Sequence, residues 1–392
     1  MHSSARRVAA AMTGISAAAM ASLPATTAGA VPGTVAMATA GAPSRLVKRD
    51  VGGPQLASRG IVVNYPAPRA RRLPAIPASA YVIADASTGQ VLAAKDPHGL
   101  FPPASTLKVL TAITMLPRLR PDASVLASRL AASVQPNIVG LVPGHRYKVA
   151  DLFRALLLIS ANDAAVALIQ ASGSFSRGIA LMNAQARHLQ AYDVVAKQPN
   201  GLPAPGQVVS AYDLALIARQ AESEPAFMTY DSTLAARFPV TRRKRLTLVN
   251  QNYLLTQYRG GIGGKIGWTV RAEATYIGLA RRHGVTLIVT LLHCTPLTEI
   301  HSAERLLNWG FAMAGRVRPV GVLVPPLPAA AGHSRHSVAG TNSRGASAVG
   351  QAGAAHSSLA VGAAVAVAFG AAILGVFAWL RRRNSPGKHP TG

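Results

Sequence analysis

Apolar and polar positions recur along this chain with two periods. Tyr81-Val82-Ile83-Ala84-Asp85 and Gln90-Val91-Leu92-Ala93-Ala94 are strand-like runs, and Ala86-Ser87-Thr88-Gly89 between them predicts a hairpin with glycine in the turn. From Pro103 to Leu116 the period changes: Leu107, Leu110, Ile113 and Leu116 recur three apart, which predicts a helix that Pro117 ends. Asp151 is the expected N-cap of a helix over Leu152 to Ile159, and a second helix follows from about Asp163 to Ala171. Ser210 and Asp213 form a capping-box-like pair at the head of a helix reaching Gln220. Thr275 to Ala280 and Val285 to Leu292 predict an antiparallel hairpin turning at Arg282-His283-Gly284, and a helix from about Ser302 to Ala314 closes the pattern. The expectation is one α/β (α+β) domain over residues 78–317: an antiparallel sheet, drawn from both ends of that stretch, flanked by helices and interrupted by a helical insert.

The pattern fails at both ends. Met1 to Arg7 is basic, Val8 to Leu23 is apolar and Ala28-Gly29-Ala30 is a small-x-small cleavage signal, so residues 1–30 read as a secretory signal peptide. Residues 31–77, rich in Pro and Ala, read as a flexible leader, and residues 318–358 as a low-complexity linker with no pattern able to build a core. Leu359 to Leu380 carries no charge and is long enough to span a bilayer, and Arg381-Arg382-Arg383 follows directly. Residues 359–380 are therefore an expected transmembrane helix, with residues 381–392 as a basic cytoplasmic tail. The expectation is an exported protein of the cell membrane, single-pass, with its domain on the extracytoplasmic side.

Composition changes this picture in two places. Forty basic against 14 acidic residues give a net charge of +26, which first suggests nucleic acid. Export and the absence of aromatic-interleaved basic platforms exclude that partner. Attraction to anionic wall polymers, lipid head groups or a carboxylate-bearing substrate fits the charge, as does solubility alone. The single cysteine, Cys294, allows no intrachain disulfide and sits at a strand exit, where a buried packing role is expected. No Cys/His grouping has the spacing of a structural zinc site.

Three short motifs carry the candidate chemistry: Ser105-Thr106-Leu107-Lys108, Ser160-Ala161-Asn162 and Lys265-Ile266-Gly267. Residues three apart on a helix face the same way, so Ser105 and Lys108 can bring a hydroxyl and an amine within hydrogen-bond reach. A lysine acts as a base only if burial or a second cation depresses its pKa, and Lys265 is the available cation. Ser160 adds a second hydroxyl suited to relaying a proton, and Asn162 an amide that donates and accepts at once. Taken singly, each motif has an ordinary reading: Ser105 as a helix N-cap, Ser160 and Asn162 as helix-boundary polar residues, Lys265 as a solvated lysine after the Gly260-Gly261-Ile262-Gly263-Gly264 run. Their order and local context together favour one acyl-transfer site.

On these motifs the chain resembles the D-alanyl-D-alanine carboxypeptidases among the low-molecular-mass penicillin-binding proteins, over about Tyr81 to Pro319. Phe101-Pro102-Pro103-Ala104, Leu158-Ile159-Ser160-Ala161-Asn162-Asp163, Pro199-Asn200-Gly201-Leu202 and Ser210-Ala211-Tyr212-Asp213 look like segments of that family. The resemblance implies a β-lactamase/transpeptidase-like fold and no metal or organic cofactor. It implies Ser105 as the acylated nucleophile, Lys108 as its base and Ser160 as the proton relay to leaving D-alanine. Asn162, Lys265 and Thr269 would bind substrate, and the Ser105 and Trp268 N–H groups would form the oxyanion hole. The implied partners are a peptidoglycan stem peptide as substrate and β-lactams as covalent inhibitors. One position departs: the family usually has Thr or Ser where this chain has Ile266, and a hydrogen bond lost from a charged carboxylate costs on the order of 1.5 to 3 kcal/mol. A weakened or altered site, a non-catalytic penicillin- or wall-binding module and a β-lactamase are the competing expectations.

Overall fold

Strands that are apolar at nearly every position, rather than at alternate ones, need a sheet covered on both faces. Ala78–Asp85 and Val285–Cys294 are of this kind, and both are buried along almost their whole length. The computed structural model describes residues 51–68 and 70–328. Its strands are β1 (Ile61–Val62), β2 (Ala78–Asp85), β3 (Gln90–Lys95), β4 (Ser124–Leu126), β5 (Arg146–Lys148), β6 (Ala235–Pro239), β7 (Arg245–Val249), β8 (Gly261–Thr269), β9 (Glu273–Arg282), β10 (Val285–Cys294) and β11 (Gly321–Val322). Its helices are α1 (Lys108–Met115), α2 (Arg129–Ser133), α3 (Val149–Leu158), α4 (Asn162–Gln170), α5 (Phe175–His188), α6 (Ala211–Ser223), α7 (Pro225–Asp231), α8 (Leu254–Gln257) and α9 (Glu299–Met313).

The main sheet is antiparallel, in the order β1-β3-β2-β10-β9-β8, with β11 also on β3. Helices α1 to α8 lie between β3 and β8, so the expected α/β arrangement of helix-flanked antiparallel sheet is the observed one. Both predicted hairpins are present. Asp85 accepts the Ser87 and Thr88 N–H groups at 2.8 and 3.1 Å and Gly89 takes φ 76°. At the β9–β10 turn His283 and Gly284 have φ 48° and 81°, the left-handed pair that a two-residue hairpin loop requires.

The two faces of the sheet bury separate cores. Val82, Ala84, Ile277, Leu279, Ile288 and Leu292 pack against the helical insert. Tyr81, Ile83, Leu287, Val289 and Leu291 pack against Leu306, Leu307, Trp309 and Met313 of α9. Each fully buried side chain of this size contributes roughly 1.5 to 3 kcal/mol. Two small ribbons, β4–β5 and β6–β7, flank the insert and meet through stacked Tyr147 and Phe238 rings, 5.5 Å between centroids.

Three expectations are corrected. Residues 51–77 are not a free leader: Leu56 is buried, β1 pairs with β3, and Trp309 donates its indole N–H to the Arg71 carbonyl at 2.9 Å. The domain also continues past residue 317, because β11 pairs with β3 and Leu323 is fully buried. Asp151 is not an N-cap. Helix α3 starts at Val149, and Asp151 lies in its first turn, 2.8 Å from Arg154. The first N–H groups of α3 find tertiary partners instead, Val149 on the Ala123 carbonyl and Ala150 on that of Pro121. Among the described residues no helix is long and apolar enough to cross a membrane, and the expected signal peptide (1–30) and transmembrane helix (359–380) lie outside them.

Candidate active site

The predicted helix at residues 103–116 opens with a tighter 3₁₀ turn, Ala104–Leu107, that runs into α1. Ser105 sits in that turn and Lys108 begins the α-helix, which places Lys108 Nζ 2.8 Å from Ser105 Oγ. The turn is held from three sides. Thr106 and Thr275 hydroxyls donate to the Pro103 carbonyl at 2.6 and 2.9 Å, and Thr111 donates to the Pro199 carbonyl at 2.6 Å. Ala104 adopts φ 45°, and the Ala104 carbonyl packs so closely on Gly201 that a side chain there has no room.

Lys108 is fully buried and has two further neighbours, Asn162 Oδ1 at 2.7 Å and the Asn200 carbonyl at 2.9 Å. Both are acceptors. The Asn162 amide cannot turn around, because its Nδ2 donates to the Pro136 carbonyl. A neutral amine has two N–H donors and one lone pair. With both donors spent on Asn162 and Asn200, the lone pair is left for the Ser105 hydroxyl. Burial, and secondarily the Lys265 charge, push the Lys108 pKa well below the usual lysine range, with Asp163 opposing. Asp163 is itself committed to the loop before it, accepting N–H bonds from Val139, Gly140 and Leu141 at 2.9 to 3.1 Å.

Ser160 and Asn162 lie at the junction of α3 and α4, as the pattern predicted. Ser160 is 3% exposed, takes φ 61°, and its hydroxyl has no hydrogen-bond partner among the described residues. A buried hydroxyl without a partner is costly, and this one is left open to hydrogen-bond.

On the opposite wall, β8 is the edge strand of the sheet, so half of its backbone groups point away from β9. Gly267 brings this strand against the turn that carries Ser105: a Cβ there would lie 2.8 Å from the Ser105 nitrogen. Trp268, the next residue, is half-exposed. Lys265 is 2% exposed, and its ammonium donates to the Ile266 carbonyl at 2.8 Å. Burial pushes the Lys265 pKa down to about 7, with Asp231 opposing. Thr269 Oγ1 accepts the Ala272 N–H at 3.0 Å, so this hydroxyl shapes the β8–β9 turn while its O–H is left to donate. Ile266 is half-buried beside the α9-side core, opposite Tyr276. It supplies no polar group to the cleft.

The structure thus brings Ser105, Lys108, Asn162 and the Gly267 backbone together directly, with Ser160 and Lys265 buried in the flanking walls. Sequence reasoning assigned no role to Asn200, Asp163 or Asp231. The first two were legible as neighbours, inside Pro199-Asn200-Gly201 and directly after Ser160-Ala161-Asn162. Asp231, at the end of α7, carried no sequence signal. Among the described residues no three His, Cys, Asp or Glu side chains converge as metal ligands.

The family description D-alanyl-D-alanine carboxypeptidase matches residues 67–295. D-alanyl-D-alanine carboxypeptidase DacB2 of Mycobacterium tuberculosis is 38% identical over 247 residues, which are 62% of this chain and 84% of that protein. DacF of Bacillus subtilis, of the same name, is 27% identical over 242 residues, 60% of this chain and 62% of its own length. Among solved structures, a Mycobacterium tuberculosis D-alanyl-D-alanine carboxypeptidase aligns with a TM-score of 0.63 and 36% identity, over 67% of this chain and 99% of that one. A mutant Streptomyces DD-transpeptidase aligns with a TM-score of 0.58 and 27% identity, over 61% and 99%.

Proposed function

Because the chain belongs to the D-alanyl-D-alanine carboxypeptidase family of serine peptidases, we propose that the Ser105 cleft removes the terminal D-alanine from peptidoglycan stem peptides through an acyl-enzyme. The observation that carries this reading is the buried Lys108 amine, 2.8 Å from the Ser105 hydroxyl with its N–H groups already committed. Ser105 Oγ attacks the penultimate carbonyl carbon while its proton passes to Lys108 Nζ. The developing oxyanion lies between the Ser105 and Trp268 N–H groups, on the two elements that Gly267 holds in contact. Collapse breaks the peptide bond, and the Ser160 hydroxyl relays a proton to the departing D-alanine nitrogen. Water then attacks the ester, Lys108 again taking the proton, and frees Ser105.

Lys265 binds the terminal carboxylate, Thr269 donates its remaining O–H to the same group, and Asn162 keeps one Nδ2 hydrogen for the substrate carbonyl. An extended peptide pairs with the open edge of β8, and β-lactams acylate Ser105 by the same attack on a strained amide. The signal-peptide pattern of residues 1–30 and the apolar run 359–380 support an extracytoplasmic domain on a single membrane anchor, where the stem peptides lie.

The test is acylation by a fluorescent penicillin, which Ser105→Ala should abolish. Release of D-alanine from a stem pentapeptide then identifies the hydrolase, against transfer to an added amine for a transpeptidase. A protein that takes no label under any condition is not this enzyme. One that takes the label and cleaves only β-lactams is a β-lactamase, and one that labels and turns over neither is a binding module.

A further inference from the structure

The wall that carries Lys265 has a second layer. Helix α7 ends at Asp231, whose side chain is fully buried and reaches up to β8. One carboxylate oxygen accepts the Gly264 N–H at 2.6 Å, and the other has no hydrogen-bond partner among the described residues. Glycine is required at both neighbouring positions for this approach. A Cβ on Gly263 would collide with the Asp231 carboxylate, and Gly264 adopts φ 132°, where a Cβ would collide with the Ile277 carbonyl. The Asp231 main chain is tied as well, its carbonyl accepting the Asn250 side-chain N–H at 2.9 Å. A buried carboxylate with an open oxygen is expensive, and strand pairing alone would hold β8 without it.

We propose that Asp231 is a positioning residue for the reaction: it holds the Gly264 N–H, fixes the turn of strand that delivers Lys265 to the cleft, and supplies the negative charge that faces the Lys265 ammonium. The inference rests on the functional reading only in its consequence for catalysis.

The charges around Lys265 are few. Lys108 on α1 is the other cation, Asp163 on α4 acts on Lys108, and the Tyr276 phenol on β9 is held neutral by burial with Asp231 adding to the effect. Among the described residues, Asp231 is the carboxylate that opposes the loss of the Lys265 proton. Burial in turn raises the Asp231 pKa to about 7, against the Gly264 N–H and the Lys265 charge. The two groups therefore exchange protons in the same pH range, and each favours the charged form of the other. A charged Lys265 does two things for the site: it attracts a substrate carboxylate and it helps keep Lys108 deprotonated.

Asp231→Asn separates position from charge, because an amide oxygen can still accept the Gly264 N–H. Lysine labelled with ¹³C reports protonation directly, with the Lys265 signal assigned as the one lost in Lys265→Arg. In Asp231→Asn the Lys265 titration should move about one pH unit lower, the scale of a neighbouring opposite charge. On a stem pentapeptide at neutral pH, KM should rise about tenfold, with kcat changing less and the alkaline limb of kcat/KM moving to lower pH. Asp231→Ala should add a loss of thermal stability that Asp231→Asn lacks. An unchanged Lys265 titration in Asp231→Asn overturns the proposal, whatever happens to activity. If the unaltered protein releases no D-alanine, the functional reading fails while the lysine titration still decides the role of Asp231.

Discussion

At the scale of single residues, the site is a problem of where protons sit. Burial pushes Lys108 toward its neutral form, and its orientation follows from Ser105, which helical spacing brings within reach, and from Asn162 and the Asn200 carbonyl, which no local rule places there. Ile266 stands where the resemblance leads one to expect Thr or Ser. It packs beside the α9-side core and offers the substrate carboxylate no hydroxyl. Ile266→Thr should therefore raise kcat/KM on a stem pentapeptide, by at most one to two powers of ten for a hydrogen bond to a charged group. It should cost about 1 kcal/mol in lost packing, read as a lower Tm. A variant no faster than the parent shows that the missing hydroxyl does not limit the enzyme. Asp231 gives a pH signature of its own. Its folded pKa, about 7, stands above the ordinary 3.8 of the unfolded chain. The stability it contributes is thus present below pH 3.8 and is lost as pH rises toward 7. Asn does not titrate, so the Tm of Asp231→Asn relative to the parent should climb between those pH values and level off above them. A constant difference from pH 4 to 8 would contradict a buried, titrating Asp231.

At the scale of elements, the β2–β3 and β9–β10 hairpins and helix α6 were legible because local chemistry agrees with the fold. Turn residues with positive φ stand where glycine or an Asx turn is found, and the Ser210 side chain accepts the Asp213 N–H at 3.1 Å. The start of α3 was misread because its N-terminal donors are met by Pro121 and Ala123 carbonyls from another segment, which local capping rules do not see. The β6–β7 ribbon was missed because just two of its side chains, Phe238 and Leu248, are buried, too few to set a period. Contact between elements is also what Gly267 supplies, since it lets β8 lie against the turn that carries Ser105. Gly267→Ala should push the strand off the nucleophile turn and cut penicillin acylation about a hundredfold, the usual cost of a 1 Å misplacement. The protein should stay folded, with a loss of about 1 to 3 kcal/mol from overpacking. Acylation within twofold of the parent would show that strand and turn are free to separate.

At the scale of the whole molecule, charge and topology dominate. The two ribbons that meet at Tyr147 and Phe238 expose Arg146, Lys148, Arg237, Arg242, Arg243, Lys244 and Arg245, and none of the seven forms an ion pair among the described residues. Attraction by such a face is screened over about 10 Å at 0.1 M salt. Binding to purified wall should therefore weaken steeply between low and high salt, and Gln at positions 242–245 should flatten that dependence while leaving pentapeptide hydrolysis unchanged. Salt-independent binding would mean that the +26 charge serves solubility instead. The sequence by itself determined the elements whose signals are local, namely strands, hairpin turns and most helices, and it singled out Ser105, Lys108, Ser160, Asn162 and Lys265 as the candidate chemical groups. Only the tertiary structure decided that residues 51–77 and 320–327 belong to the domain, that the Asn200 carbonyl and the Asn162 amide orient the base, and that Asp231 lies beneath Lys265. The reason is physical. Periodicity and capping report how a segment meets its own neighbours, whereas burial of Lys108 and the approach of Asp231 depend on side chains far apart in the chain, whose meeting leaves no mark on local pattern.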